Sequence, residues 1–484
     1  MRGFLSSAVG VAAAAATLAL PLALSGPAAA ASGAGAAVLG PGAASGAAAS
    51  GLGPASAATP AGSTRSLPLV PLGASSDRSA VPPAAGLPET RGLAAREVER
   101  FSLVGVVWDD ADAELHGRVQ VRTRSVGTAL WSDWQDVETH NGEHAPDPDT
   151  AERGTGPARG ATAPLWVGES DAIEVRVEAE RPTARALPAR LPSGLRIELV
   201  DPGAPPAGAA DGKNGAGTGG LPGDDDKGPV LLPGMTMETA EASSVNVPLA
   251  PLGAAEIGAL DKADSTADAV LTGEARPGAA AAPYIGPRPR IVTRLGWGAD
   301  EKLREKAFVY TSTVKAAFVH HTASGNNYAC KDAPAVIRSM YRYHVVSSGW
   351  RDIGYNFLVD KCGTVYEGRA GGVARAVLGA HTMGFNTDSM GIAVIGTFTG
   401  TNPPASAVKS VAALTAWKLG LFNRDPRSTA TLKSGGGNRY PKGSSVKMKV
   451  ISGHRDGFAT ECPGKLLYGQ LPTTRTASAK LQGR

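Results

Sequence analysis

Two long stretches of this 484-residue chain lack the residues from which a core is built. Residues 32–91 and 202–285 are dominated by Ala, Gly, Pro and Ser and carry almost no aromatic side chains. Such segments bury too little apolar surface to offset chain entropy, so they read as disordered linkers, the second of them acidic. Folding is thereby confined to residues 92–201 and 286–484, and the chain is predicted to be multidomain. Each linker contains one near-identical phrase, LPLVPLG (Leu67–Gly73) and VPLAPLG (Val247–Gly253). Prolines at this spacing favour extended backbone. A docking segment and a coincidence of composition are both compatible with the repeat.

The N-terminus has a basic start, an apolar Ala/Leu-rich run and small residues at its end, the three parts of a secretory signal peptide over residues 1–31, with cleavage near Ala31. Pro21 interrupts the run and no basic cluster follows it, which argues against a membrane anchor. No later stretch is apolar for long enough to span a bilayer. The mature chain is expected to be secreted, extracellular or wall-associated, monomeric and without stable membrane insertion.

Residues 92–201 show period-two alternation in Gly117–Arg124, Ala172–Ala179 and Gly194–Val200, with turn-rich breaks between. This pattern predicts an antiparallel β-sandwich-like domain. Four of the seven tryptophans lie here, Trp108, Trp131, Trp134 and Trp166, and they are expected in its core rather than as sugar-stacking platforms. His140 and His144 in HNGEH have a metal-like spacing, but they sit in a polar, Pro-rich segment without a helix to align them. A solvated loop is the expectation there.

Residues 286–484 mix both periods. Ala316–His321, Tyr355–Asp360, Val365–Glu367 and Gly391–Phe398 read as strands, and Val446, Met448 and Val450 alternate along another. Helices are predicted over Ala333–Val346, with Asp332 as N-cap and Pro334 in the first turn, and over Ala405–Leu419. A mixed sheet flanked by helices, an α/β domain, follows. This region holds 28 Lys+Arg against 11 Asp+Glu, a net of +17, whereas the first 285 residues hold 20 against 33, a net of −13. A basic domain suits a polyanionic partner. In a secreted chain that partner is an anionic cell wall rather than nucleic acid.

The three cysteines leave one unpaired in an oxidising compartment. Cys330 precedes the first predicted helix and Cys362 sits in a predicted hairpin turn, so short loops can bring these two into a disulfide. Cys462 remains, eight residues after His454 in HRDGFATECPG. Upstream, the strand of AFVHHTASGNN ends in His320–His321. Adjacent strand residues face opposite sides, so one of these two histidines can enter a shared site. Two histidines and a thiolate form a sensible zinc set with a fourth position open to water. A Cys462–His454 thiol dyad is the competing reading of the same residues.

The segments FVHHTA, GWRDIGYNFLVD, VYEGR, GAHT, FN, GIAVIGTF and GHRDGFATECPG follow one another in an order and spacing that is specific. From about Arg290 to Leu471 the chain resembles the peptidoglycan recognition protein / type 2 N-acetylmuramoyl-L-alanine amidase family. The resemblance implies a Zn2+ amidase whose metal ligands are His320, His454 and Cys462. It further implies that the Tyr355 hydroxyl orients the attacking water or the oxyanion, and that Thr460 donates to the developing oxyanion. His381, with Arg369, Asn386 and His344, becomes a candidate contact for the muramyl peptide of peptidoglycan. Family members without the cysteine ligand bind peptidoglycan without cutting it, which leaves a non-catalytic recognition protein as the alternative.

Overall fold

The computed structural model describes residues 62–72, 88–139, 141–147, 150, 153, 158–181, 190–204, 235–273 and 284–484. The apolar N-terminus read as a signal peptide, His140 and much of both low-complexity stretches lie outside these residues. Among the described residues no helix is long and apolar enough to cross a membrane.

The N-terminal domain is built from β1 (Ser63–Pro68), β2 (Val70–Pro71), β3 (Thr90–Trp108), β4 (Gly117–Ser125), β5 (Gln135–Val137), β6 (Gly160–Ala161), β7 (Leu165–Ala179) and β8 (Arg196–Asp201). They pair in the order β1-β8-β3-β7-β4-β5, with β2 and β6 added along β3, and every pairing is antiparallel. The alternation seen in the sequence is therefore present, and the antiparallel strands join through hydrogen bonds in one continuous ladder. The long strand β3 makes this possible. Its pairing with β7 shifts register between Leu93 and Leu103, and it continues against β8. Bulges of this kind bend a strand and raise its local twist.

Two corrections to the linker boundaries follow. The stretch Ser63–Pro71, which includes most of the first Leu/Pro phrase, supplies β1 and β2. Helices α1 (Met237–Ser244) and α2 (Lys262–Leu271) and the short strand β9 (Glu256–Ile257) lie within the second stretch. Local capping explains the helices despite their composition: the Thr236 side chain accepts from the Thr239 amide, and Asp261 accepts from Asp264.

The C-terminal domain contains β10 (Ile291–Val292), α3 (Arg294–Trp297), β11 (Ala316–His321), α4 (Ala333–Arg342), β12 (Phe357–Val359), β13 (Val365–Glu367), β14 (Ser389–Val394) and α5 (Ala405–Leu421). After these come the hairpin β15 (Thr429–Lys433) and β16 (Ser445–Lys449), then β17 (Ile451–Gly453), α6 (His454–Gly457), α7 (Lys465–Tyr468) and α8 (Leu471–Gln482). The main sheet runs β17-β11-β14-β12-β13-β10-β9, parallel from β17 to β12 and mixed beyond. The α/β expectation is met. Helix α4 gives way after Arg342, where the predicted helix continues, because the chain widens into a π turn over Tyr343–Ser347. Cys330 and Cys362 form the expected disulfide, with Cα atoms 6.1 Å apart.

The described residues form one compact unit, and the alternation of β3 shows how. Val104, Val106 and Trp108 point into the N-terminal domain's own core with Val119, Val175 and Ile197. Leu103 and Val107, of opposite parity, join Val336, Met340 and Tyr343 of the C-terminal domain. Gly105 lies between them on that second face. A Cβ there would stand 2.3 Å from the Tyr343 hydroxyl, so only glycine admits the tyrosine. That hydroxyl donates toward the Thr162 carbonyl at 3.1 Å, and Trp166 joins the same shared cluster. Trp108 is also core, but Trp131 and Trp134 are half-buried and stack against the Arg122 guanidinium, correcting the expectation of four core tryptophans.

Candidate metal centre

Strands β11 and β17 run parallel as neighbours, and both end at the same edge of the sheet. The carboxyl ends of parallel strands are where open α/β sheets place their sites. Ala317 and Val319 of β11 point into the core under α5 and α8. Phe318 points to the other face, and His320 shares its parity. His454 is the first residue of α6, directly after β17, and Cys462 lies on the loop that closes α6. The Arg455 amide donates to the Cys462 carbonyl at 3.0 Å, which folds this loop back on itself.

His320 and not His321 enters the cluster. The Cys462 Sγ lies 3.7 Å from His320 Nδ1, and the His320 and His454 ring centroids are 4.6 Å apart. His321 turns away, its Nδ1 accepting from the Phe398 amide at 3.3 Å. On the far side of His320, the Thr382 hydroxyl lies 3.4 Å from Nε2 and 3.0 Å from the Nδ1 of His381. This outer contact orients the ring so that Nδ1 faces Cys462, the kind of support metal-binding histidines use. Tyr355 is buried with its ring 5.5 Å from that of His320.

A fourth ligand atom belongs to the N-terminal domain. His144, in a short 3-10 turn over Gly142–His144, places a ring nitrogen in the same cluster. The ligand atoms of His144, His320, His454 and Cys462 all lie within 4.8 Å of one another, and all four residues are buried. The rings of His144 and His454 are 4.5 Å apart. The sequence-based expectation of a solvated loop is overturned here, because the C-terminal domain covers the loop. Its neighbour Glu143 accepts from the Thr460 hydroxyl at 2.8 Å, and that hydroxyl in turn accepts from the Cys462 amide.

The residues present fit a metal ion. No well-formed hydrogen bond reaches the buried ring nitrogens of His454 or of His144, which is costly unless something else engages them. Burial holds the His320 and His454 imidazoles well below their ordinary range and His144 down to about 3, so all three are neutral donors. Burial pushes the Cys462 thiol well up, so its thiolate requires a positive charge beside it. Burial likewise keeps the Tyr355 phenol protonated.

None of the four proposed peptide contacts lines the cavity beside the metal cluster. His344 stacks on Trp350 and accepts from the Gly354 amide. Arg369 is buried, donating to the Ile353 and Leu378 carbonyls. His381 is fully buried behind His320. Asn386 holds the His381 and Thr382 amides with Oδ1 and donates to Asp147 of the N-terminal domain with Nδ2. Their short polar reach is used within the fold. The space beside the cluster is a cavity of about 560 Å³ between the domains, lined by Glu138, Glu143, His144, Arg439, Arg455, Asp456, Thr460, Glu461 and Cys462.

Comparison with known proteins divides the chain in the same way. A family model described as N-acetylmuramoyl-L-alanine amidase matches residues 310–465. One described as Rv3811 N-terminal galactose-binding domain-like matches residues 54–196. Peptidoglycan-recognition protein SC2 of Drosophila simulans is 32% identical over 185 residues, covering 38% of this chain and 85% of that protein. Human N-acetylmuramoyl-L-alanine amidase is 31% identical over 199 residues, 40% of this chain and 30% of its own length. Among solved structures, Drosophila PGRP-LB is 26% identical with a TM-score of 0.30, over 38% of this chain and 92% of that one.

Proposed function

Because the chain belongs to the peptidoglycan-recognition protein and N-acetylmuramoyl-L-alanine amidase family, we propose that it is a secreted, zinc-dependent N-acetylmuramoyl-L-alanine amidase. Its reaction is hydrolysis of the amide between the lactyl group of N-acetylmuramic acid and L-alanine in peptidoglycan. The observation that carries this reading is the convergence of His320, His454 and Cys462 at the ends of two parallel strands. Two imidazoles and a thiolate are a zinc donor set. A zinc ion held by them supplies Lewis acidity toward the scissile carbonyl and an acidified water.

The chain's own residues do the remaining work. The protonated Tyr355 hydroxyl, beside His320, donates to the oxygen on which negative charge develops. Thr460 stands two residues before Cys462 and has one proton to give, which in this conformation goes to Glu143. Arg439 and Arg455 line the cavity together with Glu138, Glu143, Asp456 and Glu461, and Arg455 is paired with Glu461 at 2.7 Å, so the cavity offers both signs of charge to a stem peptide.

Incubation of zinc-loaded protein with peptidoglycan sacculi tests the reading. Release of stem peptides with a free L-alanine amino group, abolished by a chelator and restored by zinc, is the expected result. Since Glu143 and His144 lie over the site, the assay includes a Glu143→Ala/His144→Ala variant as well as the full native chain. If neither protein releases peptide while both sediment with sacculi, the chain is a recognition protein without turnover. Loss of activity to a thiol alkylator but not to a chelator identifies a Cys462–His454 peptidase instead.

A further inference from the structure

The metal set described above has one ligand too many for an open catalytic site. Catalytic zinc sites keep a position free for water or substrate, whereas sites with four protein ligands are closed. His320, His454 and Cys462 come from the C-terminal domain, and the fourth donor atom comes from a turn of the N-terminal domain. We propose that His144 is the fourth protein ligand of the metal and that the loop 141–147 holds the enzyme in a closed, latent state. This inference rests on the amidase reading for its consequence, but not for the ligation itself.

The loop is fastened at points on both sides of His144. The Glu143 carbonyl accepts from the Met383 amide at 2.8 Å, and its carboxylate accepts from the Thr460 hydroxyl at 2.8 Å. The Asp147 carboxylate accepts from the Gly384 amide at 2.6 Å and from Asn386 Nδ2 at 2.8 Å. Asn386 also donates to the Ala145 carbonyl. These bonds hold the segment from 143 to 147 against the segment from 383 to 386. Asn386, read from sequence as a candidate peptide contact, thereby gains a connection to Thr382. Asn386 binds the loop with one end of its amide, and with the other it orients Thr382, which contacts His320.

The loop therefore removes two things catalysis needs. His144 takes the position that water requires, and Glu143 takes the one proton of Thr460. Both are neighbours in sequence, so a single displacement of the turn frees both. The domains are also joined outside this turn, where Leu103, Val107 and Val200 pack with Val336, Met340 and Tyr343, so displacing the turn does not separate them. Whatever binds the turn in its displaced form activates the enzyme, and by linkage a metal that binds four ligands better than three favours the closed form.

The test is X-ray absorption at the zinc edge of the full-length protein, together with visible absorption of its cobalt form. The native chain is expected to show three imidazoles, one sulfur and no bound water. His144→Ala is expected to show two imidazoles, one sulfur and a water, with metal affinity lowered at least about tenfold, the lower end of what even an outer partner is worth. Two imidazoles and a water in the native chain overturn the proposal, and that measurement stands whether or not the variant folds. An unchanged spectrum in the variant overturns it as well. On sacculi, His144→Ala is expected to release stem peptide at least about tenfold faster than the native chain, the scale on which one catalytic element acts. Equal, measurable rates in the two proteins overturn the latent state. Absence of release from both, with the imidazole count falling from three to two, leaves His144 as a ligand and overturns the amidase reading alone.

Discussion

Cys462 and His454 sit at the two ends of one short loop, and both are buried where a metal ion would complete their bonding. The His454 ring nitrogens lack a well-formed hydrogen bond, and burial disfavours the Cys462 thiolate that would ligate. Cys462→Ser is therefore expected to lose metal, as the weaker hydroxyl donor replaces a charged sulfur; full zinc occupancy of that variant by elemental analysis contradicts the assignment. Tyr355→Phe separates the two roles at the site. It is expected to keep its metal and lose about 10²–10³ in kcat, the cost of one oxyanion donor, measured in the His144→Ala background. A Tyr355→Phe protein that loses metal instead shows that the phenol supports the ligands. At this scale the ordered segments of the sequence carried the ligand set, and period-two parity alone showed that only one of His320 and His321 could join it. His144 was not legible in the same way. Its spacing from His140 drew notice as a pair, but the partners that matter lie in another domain, and only the tertiary fold brings them within reach.

Several elements were readable because their signals are local. β11, with its apolar run ending in two histidines, and α5, opened by Pro404, lie where the periodicity places them. The two corrected linkers were harder. Ser63–Pro71 has no alternation strong enough to announce a strand, and it becomes one by pairing with β8 and β3. That stabilisation is supplied by the partner strands and leaves no trace in the segment itself. The disulfide belongs to this scale too. It ties the turn before α4 to the β12–β13 turn across a sequence separation of 32. Chain entropy alone puts such a closure at about 3–4 kcal/mol. The same turn is also held by the Asp360 carboxylate, which accepts from the Cys362 and Thr364 amides, and by the Tyr328 hydroxyl, which accepts from the Lys361 amide. Replacing both cysteines with serine is thus expected to lower the unfolding free energy by that amount or somewhat less, with the metal site intact. Denaturant midpoints with metal content measured in parallel check it, and loss of metal in the double variant contradicts the separation of the two features.

At the scale of the whole molecule, a charge count divided the chain but could not show that its halves share a core. Leu103, Val107, Trp166 and Val200 from one side pack with Val336, Met340 and Tyr343 from the other. The two domains are consequently expected to unfold together. Acid provides the sharpest test, because buried neutral histidines occur on both sides of that boundary. Burial pushes His344 and His381 each down to about 3, and neither belongs to the four-residue metal cluster. In the unfolded chain an imidazole takes up its proton near pH 6.5. Between about pH 6.5 and 3 the unfolded state thus binds more protons than the folded one, and stability rises with pH. The stabilisation is fully present above pH 6.5 and is lost as the pH falls through this window. Each histidine contributes up to about 1.4 kcal/mol per pH unit there. Calorimetry of the metal-free protein is expected to show one transition whose midpoint is steady above pH 7 and falls steeply below pH 6. Tryptophan fluorescence, which reports on Trp108 in one domain and Trp417 in the other, is expected to follow that same transition. A midpoint that stays flat from pH 7 to pH 5 contradicts the neutral burial of these imidazoles. Two resolved transitions at pH 7 contradict the shared core.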